Sequence, residues 1–79
     1  MMDIVYLVYW CNNEPYEDYY ETVDAVFADE DAAIAFIEGN GYTLDEPKPW
    51  RDGDRWSKIT DQDFGETNSM WIRPMEVRR

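Results

Sequence analysis

The stretch DIVYLVYWC, residues 3–11, decides how the rest of the chain is read. After Asp3 it is a run of β-branched, aromatic and aliphatic residues, the types that suit a pleated, half-buried surface, and it predicts a strand. Alternate strand residues point to opposite faces, so Ile4, Tyr6, Val8 and Trp10 form one row and Val5, Leu7, Tyr9 and Cys11 the other. Both rows are apolar. A strand of that kind belongs inside its sheet with cover on both sides.

Working outward, residues 22–28 (TVDAVFA) place Val23, Ala25 and Phe27 in alternation with Asp24 and Val26, which predicts a second strand antiparallel to the first. Residues 12–21 (NNEPYEDYYE), rich in turn formers, form the loop between them. Asp29 is a natural N-cap, and Glu30 and Asp31 fall in the first turn, where carboxylates meet the positive end of the helix dipole. A helix of about three turns follows, with Ala32, Ala33, Ile34, Phe36 and Ile37 on one arc and Asp31, Ala35 and Glu38 facing away. Gly39, Asn40 and Gly41 end it.

Residues 43–54 (TLDEPKPWRDGD), with Pro47 and Pro49, show no periodicity and read as a long loop wrapping the body, with Leu44 or Trp50 tucked in. Residues 55–60 (RWSKIT) and 69–77 (SMWIRPMEV) are strand candidates joined by a turn over 61–68. Pro74 cannot donate to a ladder, which puts the last strand at an edge or marks a bulge. Trp50, Trp56 and Trp71 are expected in the core or packed on a sheet face. The expected fold is α+β in the order ββαββ, an antiparallel sheet of about four strands with one helix packed on one face. One helix covers one face only. The other face then needs the proline loop, a twin subunit or a target.

A chain of 79 residues has material for one core, so residues 1–79 are read as a single domain. An apolar content of 44% with 16% aromatics provides enough buriable surface for folding despite the acidity. The net charge of −11 is unevenly spread, since residues 1–46 hold 12 acids and no Lys or Arg, while residues 47–79 hold 6 acids and 7 bases. Such a surface repels nucleic acid and anionic lipid and attracts basic protein. Neither direct nucleic-acid binding nor membrane binding is therefore expected. No apolar stretch reaches the roughly 18 to 20 residues of a membrane span, and Met1, Met2 and Asp3 lack the basic flank of a signal peptide, so a cytoplasmic location is expected.

The one cysteine, Cys11, excludes an internal disulfide, and with no histidine present it reads as a small buried apolar residue. No nucleophile elbow or phosphate-binding glycine loop occurs. Residues 61–68 (DQDFGETN) look like a calcium loop only superficially, because Gly65, Glu66 and Ile72 stand where the pattern requires Asp or Asn, Gly and Glu. Among 18 carboxylates, close pairs arise by chance. The expectation is a protein without catalytic residues, metal or cofactor.

The acidic, tyrosine-rich segment is the candidate partner-binding surface. Glu14, Tyr16, Glu17, Asp18, Tyr19, Tyr20 and Glu21, extended by Asp24, combine rigid aromatic surface with carboxylates, a patch suited to a basic, partly apolar groove. The alternative is that the tyrosines pack on the sheet and the acids keep the chain soluble.

The aromatic first strand, the run Asn13, Glu14, Pro15, Tyr16 and Glu17, and then Val26, Phe27, Asp29, Glu30, Ala33, Phe36 and Ile37, with the helix entry V-F-x-x-E-x-x-A-x-x-[FY]-I, resemble a class of short acidic phage-encoded proteins. The resemblance covers roughly residues 3–42. It implies inhibitors of the anti-CRISPR or nucleic-acid-mimic kind, non-enzymatic modules that occlude the basic nucleic-acid-binding surface of a host nuclease or CRISPR effector subunit. The alternative expectation is a homo-oligomeric structural or accessory protein, a homodimer pairing through the uncovered sheet face around Tyr6, Tyr9 or Trp10.

Overall fold

The computed structural model describes residues 2–14, 16–51 and 53–78. Strand β1 (Met2–Cys11) is followed by a single 3-10 turn (Tyr16–Asp18), β2 (Glu21–Phe27), helix α1 (Glu30–Gly39), β3 (Thr43–Leu44), β4 (Arg55–Asp61) and β5 (Glu66–Arg78). All strand pairs are antiparallel, and the sheet order is β2-β1-β5-β4-β3. The fold is α+β, with one helix against one antiparallel sheet. Strand β1 lies between β2 and β5, the interior position that its two apolar rows require.

The sheet has five strands where about four are expected. The extra one is β3, in which Thr43 pairs with Ser57 and Leu44 with Trp56. Two residues are too few to show a period, so the sequence there reads as loop. The rest of that segment is irregular, but neither proposed anchor is tucked in. Leu44 is 48% exposed and Trp50 is 79% exposed, the latter with Lys48 over its ring at 5.9 Å. Of the Asp52, Gly53, Asp54 turn, Asp52 lies outside the described residues, and Gly53 adopts φ +77°.

Helix α1 forms where its cap and arc predict. Asp29 is extended, its side chain accepts the Asp31 N–H at 3.1 Å, and its carbonyl accepts the Ala33 N–H. At the other end Gly41 takes φ +90°, and the Lys58 ammonium donates to the Asn40 carbonyl at 3.0 Å, a cation placed at the negative end of the dipole. Ala33 and Ile37, one turn apart, are fully buried and Ile34 and Phe36 half-buried, whereas Ala32 is exposed, so the inward arc is narrower than the wheel implies. They meet Val8, Tyr42, Trp56 and Met70, with Tyr6, Trp10, Ala25, Phe27 and Ile72 around the rim. Fully burying a side chain such as Val8 or Ile37 contributes about 1.5–3 kcal/mol. This is the core.

Strand β2 departs from simple alternation. Val8 pairs with Ala25 but Tyr9 pairs with Val23, so Asp24 is the extra residue of a bulge. The bulge moves Val23 out of the row of Ala25 and Phe27 and onto the Tyr9 face. Strand β5 runs longer than expected. Its Pro74 pairs with Tyr6 of β1 beyond Trp71, the last residue facing β4, so β5 is locally an edge where proline needs no ladder donor.

The radius of gyration is 13.7 Å with extents of 49 × 27 × 25 Å, where a compact chain of this length has about 12 Å. The ladder of β1 and β5 accounts for the elongation. Residues 2–5 of β1 face 75–78 of β5, beyond the last pairs of β2 and β4.

Candidate functional site

Two surfaces carry the polar chemistry, and they meet at Glu21. The first is the β2 edge. The carboxylates of Glu17, Asp18, Glu21, Asp24, Asp29, Glu30 and Asp31 are all exposed, and they follow one another from the 3-10 turn, along β2, into the first turn of α1. Strand β2 is an outer strand of the sheet, and its seven residues span roughly 20 Å. The cations with described contacts are carried by other elements: Lys48, Arg51, Arg55 and Lys58 lie on or before β4, and Arg73 on β5.

Asn12 builds the loop that begins this edge. Its side-chain oxygen accepts from the Glu14 and Tyr20 N–H groups, its amide donates to the Asp18 carbonyl at 2.6 Å, and its own N–H donates to the Tyr20 carbonyl. Glu14 is thereby drawn in and half-buried, apart from the exposed acids. The structure does not bring the Tyr19 and Tyr20 rings together. Tyr20 lies edge-on to Trp10, which borders the helix-side core, with centroids 6.1 Å apart. Tyr19 turns to the opposite face and donates to Glu21 Oε2 at 2.9 Å. The Tyr16 side chain lies outside the described residues. Desolvation, then the hydrogen bond to Glu21, push the Tyr19 phenol up to about 12, with Arg55 pulling the other way. It is a neutral donor at physiological pH.

The second surface is the sheet face away from α1, and it is the one sequence reasoning missed. Register places Val23, Tyr9, Trp71 and Arg55 in a row across β2, β1, β5 and β4. The Tyr9 and Trp71 rings stack at 5.7 Å and 4°. Arg55 lies 5.2 Å from the Trp71 centroid, and Arg73 lies 5.0 Å from that of Tyr9. Trp71 therefore sits between Tyr9 and Arg55 with both ring faces occupied. Beside this row Asn13, at φ +57°, acts as a hub. Its amide donates to Ser69 Oγ at 2.8 Å and Thr67 Oγ1 at 3.0 Å, and its oxygen accepts from Arg55 at 3.0 Å and the Cys11 thiol at 3.2 Å. Ser57 extends the network to Ser69 and to Asp45. Cys11 and Ser69 are buried beneath it, as the reading of Cys11 requires.

The chain itself covers part of this face, where Leu7 is only 9% exposed, while Val23, Val26, Met75 and Val77 stay exposed. A cavity of about 340 Å³ opens there, lined by Tyr19, Glu21, Arg51, Asp54, Arg55, Trp71 and Arg73. The signals in the sequence were the odd-numbered row of Tyr9 and Cys11 and the alternation of Trp71 with Arg73, but which strand lies opposite cannot be read from either.

Among the described residues no group of three or more Cys, Asp or Glu is placed to hold a metal ion, and no helix is long and apolar enough to cross a membrane. No protein-family model, curated protein or solved structure matches this chain.

Proposed function

We propose that the protein is a non-enzymatic binding module that docks its acidic β2 edge against a basic, nucleic-acid-binding surface of another protein and so excludes the nucleic acid. The observation that carries this reading is the run of seven exposed carboxylates from the 3-10 turn through the outer strand β2 to the start of α1, within a 46-residue stretch that contains no Lys or Arg. Carboxylates in a row present to a basic channel the repeating negative charge that a phosphate backbone would. Long-range attraction speeds encounter, and it is screened over about 10 Å at 0.1 M salt. A phage anti-defence inhibitor of the anti-CRISPR type, acting on a nuclease or effector subunit, fits this mechanism.

Affinity capture from bacterial lysate, with and without added duplex DNA, tests it. The expected result is recovery of a nucleic-acid-binding protein at low salt, with displacement by DNA and by raised salt. Partners that stay bound in excess DNA would contradict the mimicry.

The second reading, a homo-oligomeric accessory protein, draws on exposed apolar residues of the open face, namely Val26, Met75 and Val77. A dimer insensitive to salt in sedimentation would favour it.

A further inference from the structure

We propose that the open-face cavity is a binding site for a small oxyanion, of the phosphate or carboxylate class, held by Arg51, Arg55 and Arg73. The inference stands apart from the docking edge. It starts from the partners these guanidinium groups have. Arg55 contacts an amide oxygen, a thiol and the Trp71 ring. Arg73 covers the Tyr9 ring, and Arg51 donates to the Glu46 carbonyl. Among the described residues, every one of these partners is neutral. Arg51 Nε is in addition buried with no hydrogen-bond partner, which is costly for a charged group.

Geometry narrows the ligand. The volume of about 340 Å³ is at the small end for ligand sites. Both faces of Trp71 are taken by Tyr9 and Arg55, so the cavity offers no platform for a stacked base or other flat aromatic. What it offers is guanidinium N–H groups, which match the oxygens of carboxylate and phosphate in pairs. Glu21 and Asp54 on the wall limit the negative charge that can be accepted, which favours a compact anion over a polyanion.

The experiment is a titration of the whole chain with inorganic phosphate, and in parallel with acetate, at constant ionic strength, followed by NMR. The expected result is saturable shifts confined to the Trp71 indole, Tyr19 and the arginine Nε groups. Tighter binding of phosphate identifies a phosphate-type ligand, and equal or tighter acetate a carboxylate; either supports an oxyanion site. Arg51→Gln should weaken binding about tenfold, since it removes a charged donor, while Lys58→Gln on the far side of the sheet should leave it unchanged. Among the described residues the Arg51 side chain bonds only a loop carbonyl, so the variant keeps the Asn13 network, which its unchanged amide spectrum would verify. Absence of saturation up to about 50 mM of both anions, well beyond a millimolar site, would overturn the proposal. Equal weakening by Arg51→Gln and Lys58→Gln would do the same.

Discussion

The two faces of this sheet solve one problem in different ways. On the helix side, Val8, Met70 and Trp56 are buried by Ala33 and Ile37, apolar atoms from a separate element. On the open side no element lies across the sheet, and cover comes from long side chains lying over their neighbours: the Arg73, Tyr9, Trp71, Arg55 row and the Asn13 hub. The first solution is non-directional and rests on area. The second rests on ring stacking and hydrogen bonds, and it leaves cations standing at the surface. A face covered in this way remains available to ligands, as a helix-covered face does not.

The contrast predicts graded losses. Ile37→Ala should cost about 3–4 kcal/mol in denaturant unfolding, because it leaves a cavity in the one dry core. A loss under about 1 kcal/mol would mean the helix side is not the principal core. Trp71→Ala should cost about 2–3 kcal/mol, less than a buried tryptophan, since the ring is half-buried and its loss also releases Tyr9 and Arg55. Asn13→Ala should cost about 2 kcal/mol and Asn13→Gly less, because both lose the hub but only alanine strains the left-handed backbone at φ +57°. Equal losses would show that the backbone there plays no part. Raising the pH should leave the Tyr19 contribution intact below 10 and remove it as pH climbs through about 12, because the fold favours the neutral phenol. Ultraviolet titration of wild type against Tyr19→Phe should therefore show a phenol ionisation near pH 12 that is missing from the variant.

Much of the helix side was legible in the sequence. The doubly apolar residues 3–11, the Asp29 cap and the Ile34, Phe36, Ile37 spacing are local patterns, and each fixed its element. The bulge at Asp24 was not legible, because alternation at Val23 looks the same with or without an extra residue opposite Tyr9. Strand β3 was too short to show a period. The open face was invisible for a further reason. Arg55 and Trp71 are 16 positions apart and become neighbours only through the β4–β5 register. As for the candidate site, the carboxylates were placed by sequence, and the β2 edge holds most of them. That Tyr19 and Tyr20 send one ring to each face was not legible, because the segment reads as loop and carries no period.

Position, rather than total charge, is what the docking proposal asserts. The direct test is to reverse Glu17, Asp18 and Asp24 to Lys in one variant and the equally exposed Asp63 and Glu66 of the far β4–β5 turn together with Glu76 of β5 in another, the turn variant, and to compare capture of the same nucleic-acid-binding partner at equal salt. Exposed charges contribute no more than about 1 kcal/mol each to stability, so both variants should remain folded. The account predicts that the edge variant loses the partner while the turn variant keeps it. Equal loss in both, or retention by the edge variant, would contradict it.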